Sequence, residues 1–168
     1  VEGSVINMKP KGFNFLGFRA GLQWQALSWF QLGLVYRHKT ETNISGDSAT
    51  FFGIQFDSPT MTFTLPSKAG FGARADLGNM AMAMDLEYNF NSQNEDGPIT
   101  ADPKGGGDKF ELANQFRWSD ALTLRTGIEK TIAKDFSARV GYIFDAKTAN
   151  TQYPTAFGTP PAATHSIT

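Results

Sequence analysis

The chain has 168 residues, a formal net charge of −1 and no cysteine. That length suits one domain, the charge balance offers no basic excess for nucleic acid, and the missing thiols exclude a disulfide framework and thiolate metal sites. No apolar run is long enough for a membrane helix and no export signal is visible, but a membrane strand needs only about 9–11 residues, every second one apolar. The mean hydropathy of −0.29 is compatible with such strands.

Period-two alternation sets the elements in chain order. Leu16, Phe18, Ala20, Leu22 and Trp24 oppose Gly17, Arg19, Gly21 and Gln23. After a short turn near residues 26–29, Phe30, Leu32, Leu34 and Tyr36 oppose Gln31, Gly33, Val35 and Arg37. A long polar loop is expected over residues 45–59. Pro66 then marks a bulge or the start of a membrane portion, because it cannot donate to a strand ladder. Ala69, Phe71, Ala73, Ala75 and Leu77 oppose Lys68, Gly70, Gly72, Arg74 and Asp76. A tight turn at Gly78-Asn79 leads to the clearest strand, in which Met80, Met82, Met84, Leu86, Tyr88 and Phe90 oppose Ala81, Ala83, Asp85, Glu87, Asn89 and Asn91. A second long loop covers residues 92–108. One descending element is expected from Phe110 to Ile132, bent near Ser119-Asp120. A hairpin there would swap the sides of the later loops. A short turn at residues 133–135 precedes Phe136, Ala138, Val140, Tyr142 and Phe144, and a third long loop spans residues 146–164.

A soluble sandwich or lipocalin-like barrel also alternates apolar and polar faces. Three features favour an antiparallel transmembrane β-barrel of the outer-membrane type, here about six strands of an all-β fold. Charges keep to one phase, with Lys130 the exception near a turn. Aromatics gather at strand ends, as at two membrane interfaces. Short and long connections alternate, the pattern of periplasmic turns and outer loops. Leu34, Phe71, Met82, Met84 and Leu124 are then expected to face lipid. Arg19, Arg37, Arg74, Asp85, Glu87, Arg125 and Arg139 are expected to face the lumen.

Several motifs resemble the FadL/TodX family of outer-membrane transporters for long-chain fatty acids and other hydrophobic compounds. "GFNFLGFRAGLQW" is similar to its Gly-rich strand, "LGLVYRHKTE" to its Tyr-Arg strand, and "MTFTLPSKAGFGA" to its Leu-Pro strand opening. "WSDALTLRTGIE" followed by "FSARVGYIFD" is similar to its aromatic-x-Asp start and Arg-x-Gly-Tyr strand. The resemblance implies a fourteen-stranded barrel plugged by an N-terminal hatch. The whole of residues 1–168 is then read as an internal segment of one barrel domain in the bacterial outer membrane, without the hatch and the terminal strands. A monomer in contact with outer-membrane lipid is expected.

No catalytic constellation is visible. His38 and His165 lie on different elements. Asp85 and Glu87 share a face, but inward carboxylates in a barrel are expected to pair with arginines on neighbouring strands, such as Arg74. "KGGGD" lacks the Lys-Ser/Thr ending of a phosphate loop. No cofactor or metal is expected. The apolar run of Phe51, Phe52, Ile54 and Phe56, in a loop expected to meet water, reads either as a capture site for a hydrophobic ligand or as packing against a neighbouring loop. The family resemblance implies a cation for a fatty-acid carboxylate, with Lys109 and Arg117 as candidates. The function so implied is non-enzymatic uptake of fatty acids or aromatic hydrocarbons. The alternatives are a general-diffusion or structural porin and, fitting less well, a soluble lipid-binding barrel.

Overall fold

The computed structural model describes residues 17–51, 54–153 and 162–168. Among these residues there are twelve strands and one short 3-10 turn, Asn91–Gln93. The strands are β1 (Arg19–Leu27), β2 (Phe30–Arg37), β3 (Thr40–Ser45), β4 (Ser48–Phe51), β5 (Ile54–Leu65) and β6 (Lys68–Leu77). They continue as β7 (Met80–Asn89), β8 (Ile99–Pro103), β9 (Phe110–Leu112), β10 (Ala121–Ala133), β11 (Phe136–Asp145) and β12 (Thr164–Ile167).

Seven strands form one antiparallel sheet in the order β1-β2-β6-β7-β10-β11-β12, here called the wall. Its six long strands are those read from the alternation, and the short β12 adds a seventh. Two-residue turns at Ser28-Trp29, Gly78-Asn79 and Lys134-Asp135 close one rim. Gly78 has φ of 72°, a left-handed conformation that a hairpin turn of this length requires and glycine adopts without steric cost. The three long connections leave from the other rim.

Those connections are not simple loops. Two of them build a second sheet of order β3-β5-β8-β9, with β4 also paired to β5. This outer sheet repeats the wall order β2-β6-β7-β10 strand for strand. The expected loop over residues 45–59 is the upper part of a single hairpin. Its pairing runs in constant register from Phe30 opposite Ala75, through Thr40 opposite Leu65, to Phe51 opposite Ile54. Two breaks, 38–39 opposite 66–67 and 46–47 opposite 58–59, interrupt the ladder without shifting it. At about 3.3 Å per residue each arm is roughly 70 Å long, about twice the thickness of a bilayer hydrocarbon core.

The next hairpin behaves differently at the same height. Asn89 lies opposite Ala121 in the wall, and Ile99 lies opposite Leu112 in the outer sheet. Asn89 to Ile99 is ten steps and Leu112 to Ala121 is nine, so the register slips by one residue. Such a slip exchanges the faces on one arm. The 3-10 turn lies on the arm from β7 to β8, and Arg117, with a left-handed φ, on the other.

The expected single element from Phe110 to Ile132 is therefore two strands in two sheets, separated by residues 113–120. The break has a physical cause. The Ser119 N–H donates to the Thr148 carbonyl, Gln115 bridges to Asp96, and Arg117 has φ of 45°. Residues 114–116 still bond to residues 95–97 in the register of β8 and β9, and the chain leaves that ladder at Arg117 and Ser119. No hairpin forms at Ser119-Asp120, and β10 runs antiparallel to β7.

The wall has no core of the usual kind. Its apolar face is open, with Leu22 66%, Leu34 56% and Val140 54% exposed. Among the described residues the buried apolar cluster lies in the outer sheet, where Ala49, Phe56 and Ala101 pack with Ile99 and Phe110.

Candidate functional site

Cross-strand pairing sorts the wall side chains into two faces. One carries Leu22, Leu34, Phe71, Met82, Met84, Leu124 and Val140. The other carries the charges, arranged in horizontal rungs. The outermost rung places Arg19, Arg37 and Lys68 side by side on β1, β2 and β6, since Arg19 pairs with Arg37 and Arg37 with Lys68. Below it lie Gly21, Val35, Gly70, Glu87 and Thr123, and below those Gln23, Gly33, Gly72, Asp85 and Arg125. Arg74 follows on the next rung, and Glu129 with Arg139 one lower. Lys130 alone puts a charge on the apolar face, near the short-turn rim.

The hydrogen bonds on this face differ from those the sequence suggests. Lys68 Nζ donates to Glu87 Oε1 at 2.8 Å. Arg74 does not pair with Asp85 or Glu87. It binds Asp76 on its own strand, Nη2 to Oδ1 at 2.6 Å, because residues two apart on a strand share a face. Arg139 Nε binds Glu129 at 2.7 Å. Thr123 Oγ1 donates to Asp145 at 2.7 Å. Arg125 stands opposite Asp85 in the register. Arg37 Nη2 donates to the Pro66 carbonyl at 2.8 Å, while its Nε is shielded from solvent and has no partner.

The glycines do not all leave empty space. A Cβ on Gly72 would lie 2.7 Å from the Asp85 carboxylate, and one on Gly70 would lie 2.9 Å from a Val35 methyl. Neighbouring side chains lie across both positions. A concavity of about 320 Å³ remains beside them, lined by Gly33, Gly70, Gly72, Asp85 and Arg125 among others. A smaller one of about 200 Å³ adjoins the outermost rung, lined by Arg19, Val35, Arg37, Lys68, Gly70 and Glu87. The two share Val35, Gly70 and Glu87. Together they form a trough with three cations at its upper end, where the side chains of Val35 and Asp85 lie over Gly70 and Gly72.

A polar node ties the connections together where wall meets outer sheet. Asp120 accepts from the Ser92 backbone N–H at 2.8 Å and from the Tyr88 hydroxyl at 3.0 Å. Desolvation by burial opposes ionisation of Asp120, but the bonds from Ser92 and Tyr88 outweigh it and hold the carboxyl below its ordinary range. Gln93 accepts from the Ser67 N–H, and Asn91 reaches Thr148. The buried Phe116 fills the space behind Gly97.

The two expected capture residues whose side chains the structure describes differ in exposure. Phe56 is 5% exposed and packs against Phe110 with ring centroids 4.8 Å apart, so packing has consumed it. Ile54 is exposed. The Phe51 backbone pairs with Ile54, and Phe52 lies outside the described residues. Lys109 is exposed in the connection between β8 and β9. Arg117 is held by Asp96 at 3.4 Å and Glu95 at 3.8 Å. Lys68 was not singled out by sequence. The one available signal was its phase, which matches Arg74 on the same strand.

No family profile matches the sequence, and no curated protein matches it. Solved structures do. A Pseudomonas aeruginosa FadL homologue is 14% identical with a TM-score of 0.64, over 80% of this chain and 34% of that one. The Ralstonia pickettii toluene transporter TbuX is 19% identical with a TM-score of 0.58, over 77% of this chain and 35% of that one. A TodX deltaS2S3 mutant, a monoaromatic hydrocarbon channel, is 19% identical with a TM-score of 0.55, over 79% and 34%. The likeness is one of fold, and this chain spans about a third of the length of those proteins.

Proposed function

We propose that this chain, which has the wall fold of the FadL/TodX barrels, forms part of a monomeric outer-membrane channel for the uptake of hydrophobic molecules. We further propose that its preferred cargo carries a carboxylate at one end, as a long-chain fatty acid does. The observation that carries this reading is the outermost rung. Arg19, Arg37 and Lys68 adjoin on three strands, and the acid lining the same concavity is Glu87, bonded to Lys68. A carboxylate there would accept charge-assisted bonds, which are roughly twice as strong as neutral ones. The acyl chain would follow Val35 into the trough and lose water-exposed apolar area at about 25 cal/mol per Å². The process is passive. The residues bind, orient and release, and no bond is broken.

The test compares a long-chain fatty acid, its methyl ester and toluene on the full-length protein. Arg19→Ala with Lys68→Ala should weaken fatty-acid binding by about tenfold or more, on a value of about 1.5–3 kcal/mol for a hydrogen bond to a charged group. Ester and toluene binding should stay unchanged. Equal binding of acid and ester before and after substitution would remove the head-group role. Toluene binding without fatty-acid binding would instead favour an aromatic cargo, for which TbuX and TodX speak by name. Passage of small hydrophilic solutes with no hydrophobic ligand bound would favour a general-diffusion porin.

A further inference from the structure

Glu87 stands between two cations on the charged face of the wall. In the register it lies opposite Gly70 on β6 and Thr123 on β10. Neither takes its carboxylate, since Gly70 has no side chain and Thr123 Oγ1 donates to Asp145. Lys68 lies opposite Asn89, one same-face position toward the outer rim. Arg125 lies opposite Asp85, one same-face position toward the short-turn rim. Both cations are therefore diagonal neighbours of Glu87, a spacing that long side chains span.

Only one of the two cations is engaged. Lys68 Nζ holds Glu87 Oε1 at 2.8 Å, and the Asn89 side chain also bonds this carboxylate. Arg125 lines the same concavity as Glu87 and attracts it, yet makes no ion pair among the described residues. The Lys68 and Glu87 side chains are 36% and 25% exposed. Ion pairs open to water add little to stability, so this one can part without loss of the wall. On the same rung Arg37 is tied to the Pro66 carbonyl, and Arg19 is exposed with no ion pair among the described residues. A carboxylate arriving there meets Arg19 open and Lys68 already occupied by its own chemical group.

We propose that Glu87 sets the affinity of this site for acids by occupying Lys68 as a tethered stand-in for the cargo carboxylate. An arriving carboxylate takes Lys68, and Glu87 turns to Arg125. The inference rests on the head-group reading of the outermost rung, and the test separates the two. The exchange replaces one charge-assisted bond by another, so the cargo gains only the difference and the bond to Arg19. A neutral cargo drives no exchange. The site thus favours acids and still releases them, and conduction requires binding weak enough to leave.

The test is equilibrium binding of a long-chain fatty acid and its methyl ester to the full-length protein in detergent. Glu87→Gln should tighten acid binding about tenfold, the worth of one hydrogen bond to a charged group. Ester binding should stay unchanged, which also reports an intact wall. Glu87→Asp keeps the charge but shortens the reach to Lys68, and should tighten acid binding by a smaller factor. Arg125→Gln should weaken acid binding several-fold, and far less in the Glu87→Gln background, because it removes the place to which the carboxylate turns. A gain in Glu87→Gln with none in Glu87→Asp would mean plain charge repulsion and would overturn the exchange. Equal losses from Arg125→Gln in both backgrounds would overturn it too, since Arg125 would then bind cargo itself. Unchanged acid binding in both Glu87 variants, with the wild type still preferring acid to ester, sinks this inference alone. Equal binding of acid and ester by the wild type sinks the head-group reading, and the exchange with it.

Discussion

The outer sheet and the four wall strands β2, β6, β7 and β10 are made from the same two hairpins, in the same strand order, yet the two sheets reach stability in different ways. The wall leaves Leu22 and Leu34 more than half exposed and carries its charges, Lys130 apart, on the other face. The outer sheet buries Phe56 and Ala101 against its own neighbours and lines its polar face with threonine and acids. One sheet needs an apolar surrounding to cover it, and the other partly supplies its own cover. Strand pairing is common to both, so it does not decide the environment. The side chains on the apolar phase decide it.

Phe56→Ala should separate the two sheets most sharply. Truncating a buried Phe costs about 3–5 kcal/mol. The loss should appear as faster amide exchange in β4, β5 and β8, with the β6–β7 ladder unaffected. Spread of the loss into the wall would mean that the two sheets open as one unit. Met84→Arg makes the complementary change. It should cost roughly 2–4 kcal/mol in lipid if residue 84 lies near the bilayer midplane, measured by urea unfolding in vesicles. Ala83→Arg, on the charged face, should cost far less, and equal costs would erase the distinction between the faces.

Gly97→Ala probes the seam between the sheets. Its Cβ would come 2.8 Å from the ring of Phe116, which is buried and has little room to retreat. A loss of about 1–3 kcal/mol is expected for such overpacking, and Phe116→Leu in the same chain should recover part of it. The smallest effect concerns Asp120. Its carboxyl is held below the ordinary range, so its contribution is fully present above the unfolded-state pKa, about 3.9. That contribution fades as pH falls through the lower folded value. Exchange protection of the Ser92 amide should therefore drop in that acid window, and Asp120→Asn should flatten the dependence. An unchanged profile would mean that the bond to Ser92 does not hold the 3-10 turn.

The wall was legible because its signals are local. Alternation from Met80 to Tyr88 and the Gly78-Asn79 turn each fit within a few residues. The outer sheet was hidden for an equally physical reason. Gly46-Asp47 and Ser58-Pro59 read as loop punctuation, but they sit opposite each other inside the arms. The ladder passes them by bonding the Gly46 N–H to the Pro59 carbonyl at 2.9 Å. Turn-forming residues at matched positions on two strands make a paired irregularity rather than an end, and only the register reveals the match. The cationic rung was hidden differently, since Arg19, Arg37 and Lys68 are separated by whole strands and meet only when those strands pair. The burial of Phe56 depends on Phe110, more than fifty positions later in the sequence, and no periodicity within its own strand could supply that partner.

The unbroken register of the long hairpin also bears on how the wall is assembled. Arg37 and Lys68 are far enough apart in sequence that closing a flexible loop between them would carry an entropic cost growing with the logarithm of its length. Here the pairs between them, from Phe51 with Ile54 outward, can close one after another, each ring only slightly larger than the last. Hairpin closure of this kind takes microseconds. The outer tip is then the place where pairing of β2 with β6 begins, and a shortened tip would delay wall formation even where it left the finished wall equally stable.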